Sequence, residues 1–474
     1  MSDVVEIRRA DVDGRLVDVR WRDGHVLSVL PAGARPPDRD SVAVVDAGGG
    51  ALIPGLHDHH IHLLALAAQR TSVNAGPPAV TTVHELVRIL TAECERAMSG
   101  WVRAVGYHES VAGDLDAFAL DRLVPAGRDV SIRVQHRSGQ LWILNQRALD
   151  AAGVGDLAHE GIERDDRGAP TGRVFGLDDV LRGLVPEHPL DVAAIGAELA
   201  SYGVTGVTDL TPTGSASDVE LLARHATDQG FPVRVTITGG PALDPSAAPH
   251  LDRGPVKFLP IERDLADVDA LGAGIAAAHS SGRPVAVHCV SRVGLVVAVA
   301  AWRAAGAMPG DRVEHGAVIP DDLLDDIAEL GLTVVTQPNL VAERGDQYVA
   351  DVEPDDQPHL WRCRSLLEHG ISVAGGTDAP FGDPDPWRAV RAAVDRTTPT
   401  GVVLGADERL PAERAVALFL GRPHDPTDRR RVRAGERTDL CLLDRPLATV
   451  LDAPTSAAVR ATVGRAGLRP RRGR

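Results

Sequence analysis

Short apolar runs alternate with amphipathic stretches through the second half of the chain. Val204–Leu210 reads as a strand, a helical pattern runs from about Ser217 to Gln229, and Pro232–Ile237 reads as a strand again. Val256–Leu259 precedes a helical pattern around Leu265–His279, and Pro284–Val290 precedes another around Leu295–Ala305. Arg312–His315 leads into Asp321–Leu330, with Asp321 close to an N-cap position. Leu332–Gln337 and Ser372–Asp378 follow, the latter succeeded by a helical pattern from Pro386 to about Arg396. Strands that alternate with helices of this length predict βαβ units and a parallel sheet. About eight such units predict an α/β fold closed as a (β/α)8 TIM-like barrel.

The two ends of the chain carry a different period. Leu16–Trp21, His25–Leu30 and Val42–Val45 alternate apolar and polar residues between Gly, Pro and Asp, and Leu440–Leu443 and Ala458–Val463 look similar. These segments predict a small β-sandwich built from both chain ends, residues 1–53 plus 404–474, around a barrel of residues 54–403. The stretch from about 69 to 200 is longer than a βα connection should be and predicts an inserted region that covers the substrate. The terminal Arg469–Arg474 reads as a frayed tail.

Composition narrows the class of function. The net charge of -16 excludes a basic footprint for nucleic acid and is a poor match for anionic membranes. The most apolar stretch, Pro284–Ala305, is broken by His288, Arg292 and Arg303, and so does not read as a membrane span. Cys94, Cys289, Cys363 and Cys441 show no paired spacing, which fits a reducing cytoplasm. Lysine occurs once, at Lys257, in a chain that otherwise uses arginine for its cations.

The chemistry concentrates at strand ends. In Leu56-His57-Asp58-His59-His60-Ile61-His62 a strand projects alternate side chains to one face, so His60 and His62 point together; His57 and His59 repeat that spacing. Paired imidazoles suit a transition metal. His288 ends Val285-Ala286-Val287, His315 ends Arg312-Val313-Glu314, and Asp378 ends Val373-Ala374-Gly375-Gly376-Thr377. In a barrel the C-terminal strand ends converge on one mouth, which brings these residues together. Lys257 lies between apolar neighbours, where an amine is costly unless paired or modified. A lysine of lowered pKa can become a carboxylated amine, which arginine cannot.

The set PG-L-H-D-H-H-I-H, V-K-F, A-V-H, V-E-H-G and G-G-T-D-A-P resembles the metal-dependent amidohydrolase superfamily, and within it the amidohydrolase 3 branch that includes N-substituted formamide deformylases. The branch's proline-glycine turn and D-x-H-x-H element map onto Asp58, His60 and His62. Further similarity runs through Ser138–Asn145, Arg164–Gly172, Gly203–Asp209, Asp385-Pro386-Trp387 and Gly435–Asp444. Gln140 stands where the branch usually has a histidine, and Leu259-Pro260-Ile261-Glu262 stands where it often has A-D-G.

The resemblance implies a cytoplasmic enzyme with two zinc-like divalent ions, a small-molecule substrate and a possible homodimer. It implies His60, His62 and Asp378 on one ion, His288 and His315 on the other, and carbamylated Lys257 between them. A metal-bridging hydroxide would cleave a non-peptide C–N bond in an amide, formamide or cyclic amide, with Asp378 as proton carrier and Asp58 orienting the ligands. His108, His136, Arg137, Gln140 and Trp142, in the inserted region, are candidates for substrate contact. Two other readings use part of the same set: a mononuclear deaminase of a cyclic amidine, which does not need Lys257, and a non-catalytic ligand-binding barrel.

Overall fold

The computed structural model describes residues 4–34, 42–125, 129–184, 190–211, 216–227, 230–241, 243, 251–260 and 267–471. The chain divides into two compact units, Met1–Leu63 with Val192–Arg474, and Leu64–Asp191. It is a mixed α/β protein.

The first unit is organised by two parallel sheets. One contains Leu56–Ile61, Val204–Asp209, Arg234–Ile237 and Leu251–Arg253 as neighbours in that order. The other runs Val256–Phe258, Val285–Cys289, Arg312–His315, Thr333–Thr336 and Ser372–Gly375. Leu56–Ile61, Val204–Asp209, Arg312–His315 and Thr333–Thr336 are buried along their whole length, as parallel strands covered on both faces must be. Backbone hydrogen bonds join the sheets at both edges. Asp378 donates to His60 O and His62 to Ala379 O, each at 2.8 Å, while Gly254 donates to Ile237 O at 2.8 Å and Lys257 to Gly239 O at 3.0 Å.

Helices follow most of these strands: Ala216–Thr227, Val268–Ser280, Arg292–Ala305, Leu324–Glu329 and Pro386–Asp395. Their starts are set by capping. Ser291 accepts from Gly294 N, so Arg292–Ala305 begins ahead of the apolar run that predicts it. Asp385 caps Pro386–Asp395 in the same way through Trp387 N. Asp321 lies next to an N-cap, as expected. It opens a short 3-10 turn, Asp321–Leu323, whose cap is Pro320. The helix Asn339–Asp351 and the strand Leu251–Arg253 are additions to the predicted set. Parts of the expected helices at 217–229 and 265–279 lie outside the described residues.

The chain ends form two four-stranded sheets, His25–Pro31, Arg15–Arg22, Val4–Val12 and Val42–Asp46 in one, Gly467–Pro470, Val459–Gly464, Leu440–Leu443 and Leu52–Pro54 in the other. Ile7, Val19 and Trp21 from the first share one buried cluster with Leu440, Leu442 and Val463 from the second. Val4–Val12 is a strand that its charged residues conceal, because Arg8 and Arg9 point outward while Ile7 and Ala10 are buried. Arg469 is also not part of a frayed tail. It pairs with Thr462 in a terminal strand, and residues 472–474 lie outside the described set.

The second unit carries a six-stranded sheet in the order Ile162–Arg164, Pro170–Phe175, Leu141–Leu144, Ser131–His136, Trp101–Tyr107 and Val73–Asn74. Trp101–Tyr107 and Ser131–His136 are parallel, with Tyr107 beside His136. The helix Val83–Arg96 starts at a capping box of Thr82 and Glu85 and buries Leu86, Leu90 and Cys94.

Candidate metal centre

The strand Leu56–Ile61 continues to His62, and its alternation sets two faces. His60 and His62 share one, with ring centroids 5.3 Å apart. His57 and His59 share the other, where His57 Nε2 meets Thr208 Oγ at 2.9 Å. The register question posed by the two H-x-H pairs is thus decided by which face meets Asp378. His60 Nε2 and His62 Nε2 stand 3.5 and 3.3 Å from Asp378 Oδ1.

His315 extends the row, its ring 4.5 Å from that of His60 and 4.6 Å from that of His288. Both His315 and Asp378 sit at strand ends with positive φ, 70° and 56°. Non-glycine residues rarely adopt this conformation, which costs about 1–3 kcal/mol and clusters at functional sites. Close approach of the final strand depends on Gly376, where a Cβ would lie 2.5 Å from that of His60.

Buried hydrogen bonds fix which ring nitrogen faces the centre. Glu314 Oε2 accepts from His60 Nδ1 at 2.6 Å, and Gln337 Oε1 accepts from His315 Nδ1 at 2.8 Å. Both partners act as acceptors, so the opposite Nε2 atoms carry lone pairs. Glu314 is fully buried and also accepts from Arg312 Nε at 2.6 Å, while Arg312 donates to His59 O at 2.8 Å. Asp58, also fully buried, accepts from His60 N at 3.1 Å, Thr377 N at 3.0 Å and Thr377 Oγ. It ties the first strand to the last.

Burial suppresses positive charge on the row. It lowers His288 and His315 and takes His60 down to about 3, so these imidazoles are neutral at pH 7. Burial pushes Asp58 up to about 7 against its hydrogen bonds from Thr377. For Asp378 burial also opposes ionisation, but His62 and the other histidines outweigh it and hold the carboxyl well below the usual range. Burial lowers Lys257 to about 8.

Among the buried side-chain atoms of the described residues without a hydrogen-bond partner are His60 Nε2, Asp378 Oδ1 and Lys257 Nζ. The His60 lone pair and the His62 ring converge on one carboxylate oxygen, a set of two imidazoles and a carboxylate that fits a divalent metal. The structure therefore brings His60, His62, His315, Asp378 and His288 into one group, with Lys257 within electrostatic reach of Asp378, Glu314 and His288. Glu314 and Gln337 carry no role in the sequence reading. A glutamate inside an all-buried strand, directly before a candidate ligand, is the signal for the former.

The substrate-contact candidates of the second unit behave differently from one another. Gln140 is exposed. Trp142 is buried, with Arg103 and Arg133 each 5.3 Å from its ring centroid, so it packs in a core and does not present a face to substrate. His136 is half-buried beside Glu109.

A model of the amidohydrolase family matches residues 43–465. The chain belongs to the amidohydrolase family. This amidohydrolase is 24% identical to the N-substituted formamide deformylase of Arthrobacter pascens, over 87% of this chain and 86% of that protein. An uncharacterised metal-dependent hydrolase from Pyrococcus horikoshii has a similar fold, with a TM-score of 0.69 and 18% identity over 93% of this chain and 97% of that one. N-isopropylammelide isopropylaminohydrolase from Burkholderia multivorans gives a TM-score of 0.54 and 17% identity, over 98% of each chain. The amidohydrolase is a hydrolase, and among its described residues no helix is long and apolar enough to cross a membrane.

Proposed function

We propose that this amidohydrolase cleaves a C–N bond outside ordinary peptides, in an N-substituted formamide, another amide or a cyclic amide. The observation that carries the reading is the buried Asp378 Oδ1, without a hydrogen-bond partner and facing two histidine Nε2 atoms at 3.5 and 3.3 Å. The name of the Arthrobacter relative favours formamides among these substrates.

The fold reading that goes with it is a single (β/α)8 barrel, closed where the two parallel sheets hydrogen-bond at both edges, with a sandwich made by residues 1–53 and 404–474 and an insertion near 69–200. His60, His62 and Asp378 would hold one divalent ion, His288 and His315 a second, both zinc-like. Bound ions supply an acidified water, with a pKa near 7, and a Lewis acid for the carbonyl.

The chain's own residues do the rest. Asp378, ionised at all working pH values, accepts the proton of the attacking water and delivers it to the departing nitrogen, which leaves poorly unless protonated. Glu314 and Gln337 keep His60 and His315 in the tautomer that offers Nε2. Burial lowers the Lys257 pKa to about 8, which raises the neutral fraction far above that of a free lysine, and the neutral amine can add carbon dioxide. That step forms one N–C bond and releases one proton, and it converts a buried unpartnered amine into an anion that can bridge two cations. Four free, buried cysteines fit a reducing cytoplasm.

The test is metal content per chain by plasma mass spectrometry in wild type and Lys257→Ala, alongside hydrolysis of N-substituted formamides and cyclic amides. About two ions in wild type, sharply fewer in the variant, and formamide turnover are expected. One ion in both proteins would remove the lysine bridge and put a mononuclear deaminase ahead; no metal and no turnover would overturn the reading.

A further inference from the structure

We propose that His108, Glu109 and His136 form a separate site for a divalent transition-metal ion within the unit Leu64–Asp191. Trp101–Tyr107 and Ser131–His136 are adjacent parallel strands, so their C-terminal ends lie side by side. His108 and Glu109 follow the first directly, and His136 ends the second. Glu109 Oε2 lies 3.5 Å from His108 Nε2 and 3.2 Å from His136 Nε2, and one atom from each residue falls within 4.8 Å of the others. Ligands about 2.0–2.1 Å from a tetrahedral ion are separated by roughly 3.3–3.4 Å, so these spacings match two edges of such a shell. They also match the 3.5 and 3.3 Å that separate Asp378 from His60 and His62.

The rings are oriented for ligation by a repeated device. His108 Nδ1 lies 2.9 Å from Ser110 Oγ, and His136 Nδ1 lies 2.8 Å from Ser138 Oγ. The serine N–H lies 3.2 Å from the same Nδ1 in both turns. Two His-x-Ser turns thus hold both imidazoles from the Nδ1 side and aim both Nε2 atoms at one carboxylate oxygen. Nδ1 accepts from the serine backbone N–H in both turns, so each metal-free ring carries its proton on Nε2; an ion at Nε2 would move that proton to Nδ1, where the serine hydroxyl can accept it.

Two neutral imidazoles and a carboxylate suit a zinc-class ion, and three protein ligands leave a fourth position open, as in zinc sites that exchange water or an oxygen donor. Without an ion the same residues form a hydrogen-bonded triad, with each Nε2–H donating to Glu109.

The full chain, stripped with chelator and dialysed against micromolar Zn2+, is analysed for bound metal as wild type, His136→Ala, Glu109→Gln and Asp378→Asn. Loss of one equivalent in His136→Ala and Glu109→Gln, with that equivalent retained in Asp378→Asn, is the expected result. The counts of Asp378→Asn report on the other cluster, so failure of one assignment does not mimic failure of the other. Glu109→Gln preserves shape, and it decides the matter if His136→Ala does not fold. An unchanged metal count in Glu109→Gln, with Zn2+ affinity within twofold of wild type, would overturn the site and leave the triad.

Discussion

Two groups of histidines and a carboxylate, one in each unit, show nearly the same spacing and opposite kinds of support. Around Asp378 the backing is long-range. Glu314 orients His60 across 254 residues of sequence, and Asp58 reaches Thr377 across 319. Around Glu109 the backing is local, since each ring is held by a serine two residues on. Exposure follows the same division, with the Asp378 side chain 10% exposed and that of Glu109 40%. A group assembled by the fold is dry and preset, whereas one assembled by turns is reachable by water. The first pays for preorganisation with unpartnered polar atoms in its interior; the second has none among the buried atoms without partners.

The comparison is tested most severely at the carboxylates. Asp378→Asn removes the proposed proton carrier, and kcat should fall by about 10^3-fold, within the range for general acid–base groups. Retention of activity within tenfold at saturating metal would break the assignment. Next come the orienting residues. Glu314→Gln should weaken zinc binding at the first group by about 10–100-fold in a chelator competition, while Ser138→Ala should change the second group only a few-fold. Equal losses would erase the distinction between long-range and local backing.

Stability separates the two units further. In metal-free protein Lys257→Met should raise stability by on the order of 2 kcal/mol, since an unpartnered buried amine is removed. The folded pKa of about 8 lies below the unfolded value of 10.5. The unfolded state therefore binds more protons between these values, and wild-type stability should rise with pH across that window. The advantage of Lys257→Met should accordingly be full below pH 8 and shrink toward pH 10.5, as followed by denaturant melts. A pH-independent difference would mean that packing, not charge, decides. The smallest effect expected is for Trp142→Leu, about 1–2 kcal/mol of local stability lost with its two stacked guanidinium groups, seen as faster amide exchange confined to Leu64–Asp191.

How much of this can be read from sequence follows the same line. The strand Leu440–Leu443 is visible in full because its burial matches its composition. Val4–Val12 escapes because two outward arginines break its run. His60, His62, His288, His315 and Asp378 are legible as strand-end residues of metal-binding type. Glu314 and Gln337 are not legible in role, because a hydrogen bond to a ring nitrogen depends on which strands become neighbours. Trp142 misleads for a related reason: its place in the inserted region suggests a substrate contact, but it lies in the buried strand Leu141–Leu144 with Arg103 and Arg133 each 5.3 Å from its ring centroid. The His-x-Ser turns at 108–110 and 136–138 are written locally, yet they gain meaning only once the sheet pairs Tyr107 with His136.

The solitary lysine also makes the chain an unusual reporter of its own opening. Every ε-amine in the protein is that of Lys257, shut inside a buried strand. A protease that cuts only after lysine therefore has one target bond, between Lys257 and Phe258, and it is presented only when the strand leaves its sheet. Cleavage into fragments 1–257 and 258–474 is a clock for that excursion, read from two bands on a gel, and where opening and reclosing are fast relative to cutting its rate gives the free energy of opening. Anything that locks the strand in place, metal or a modified amine, slows the clock.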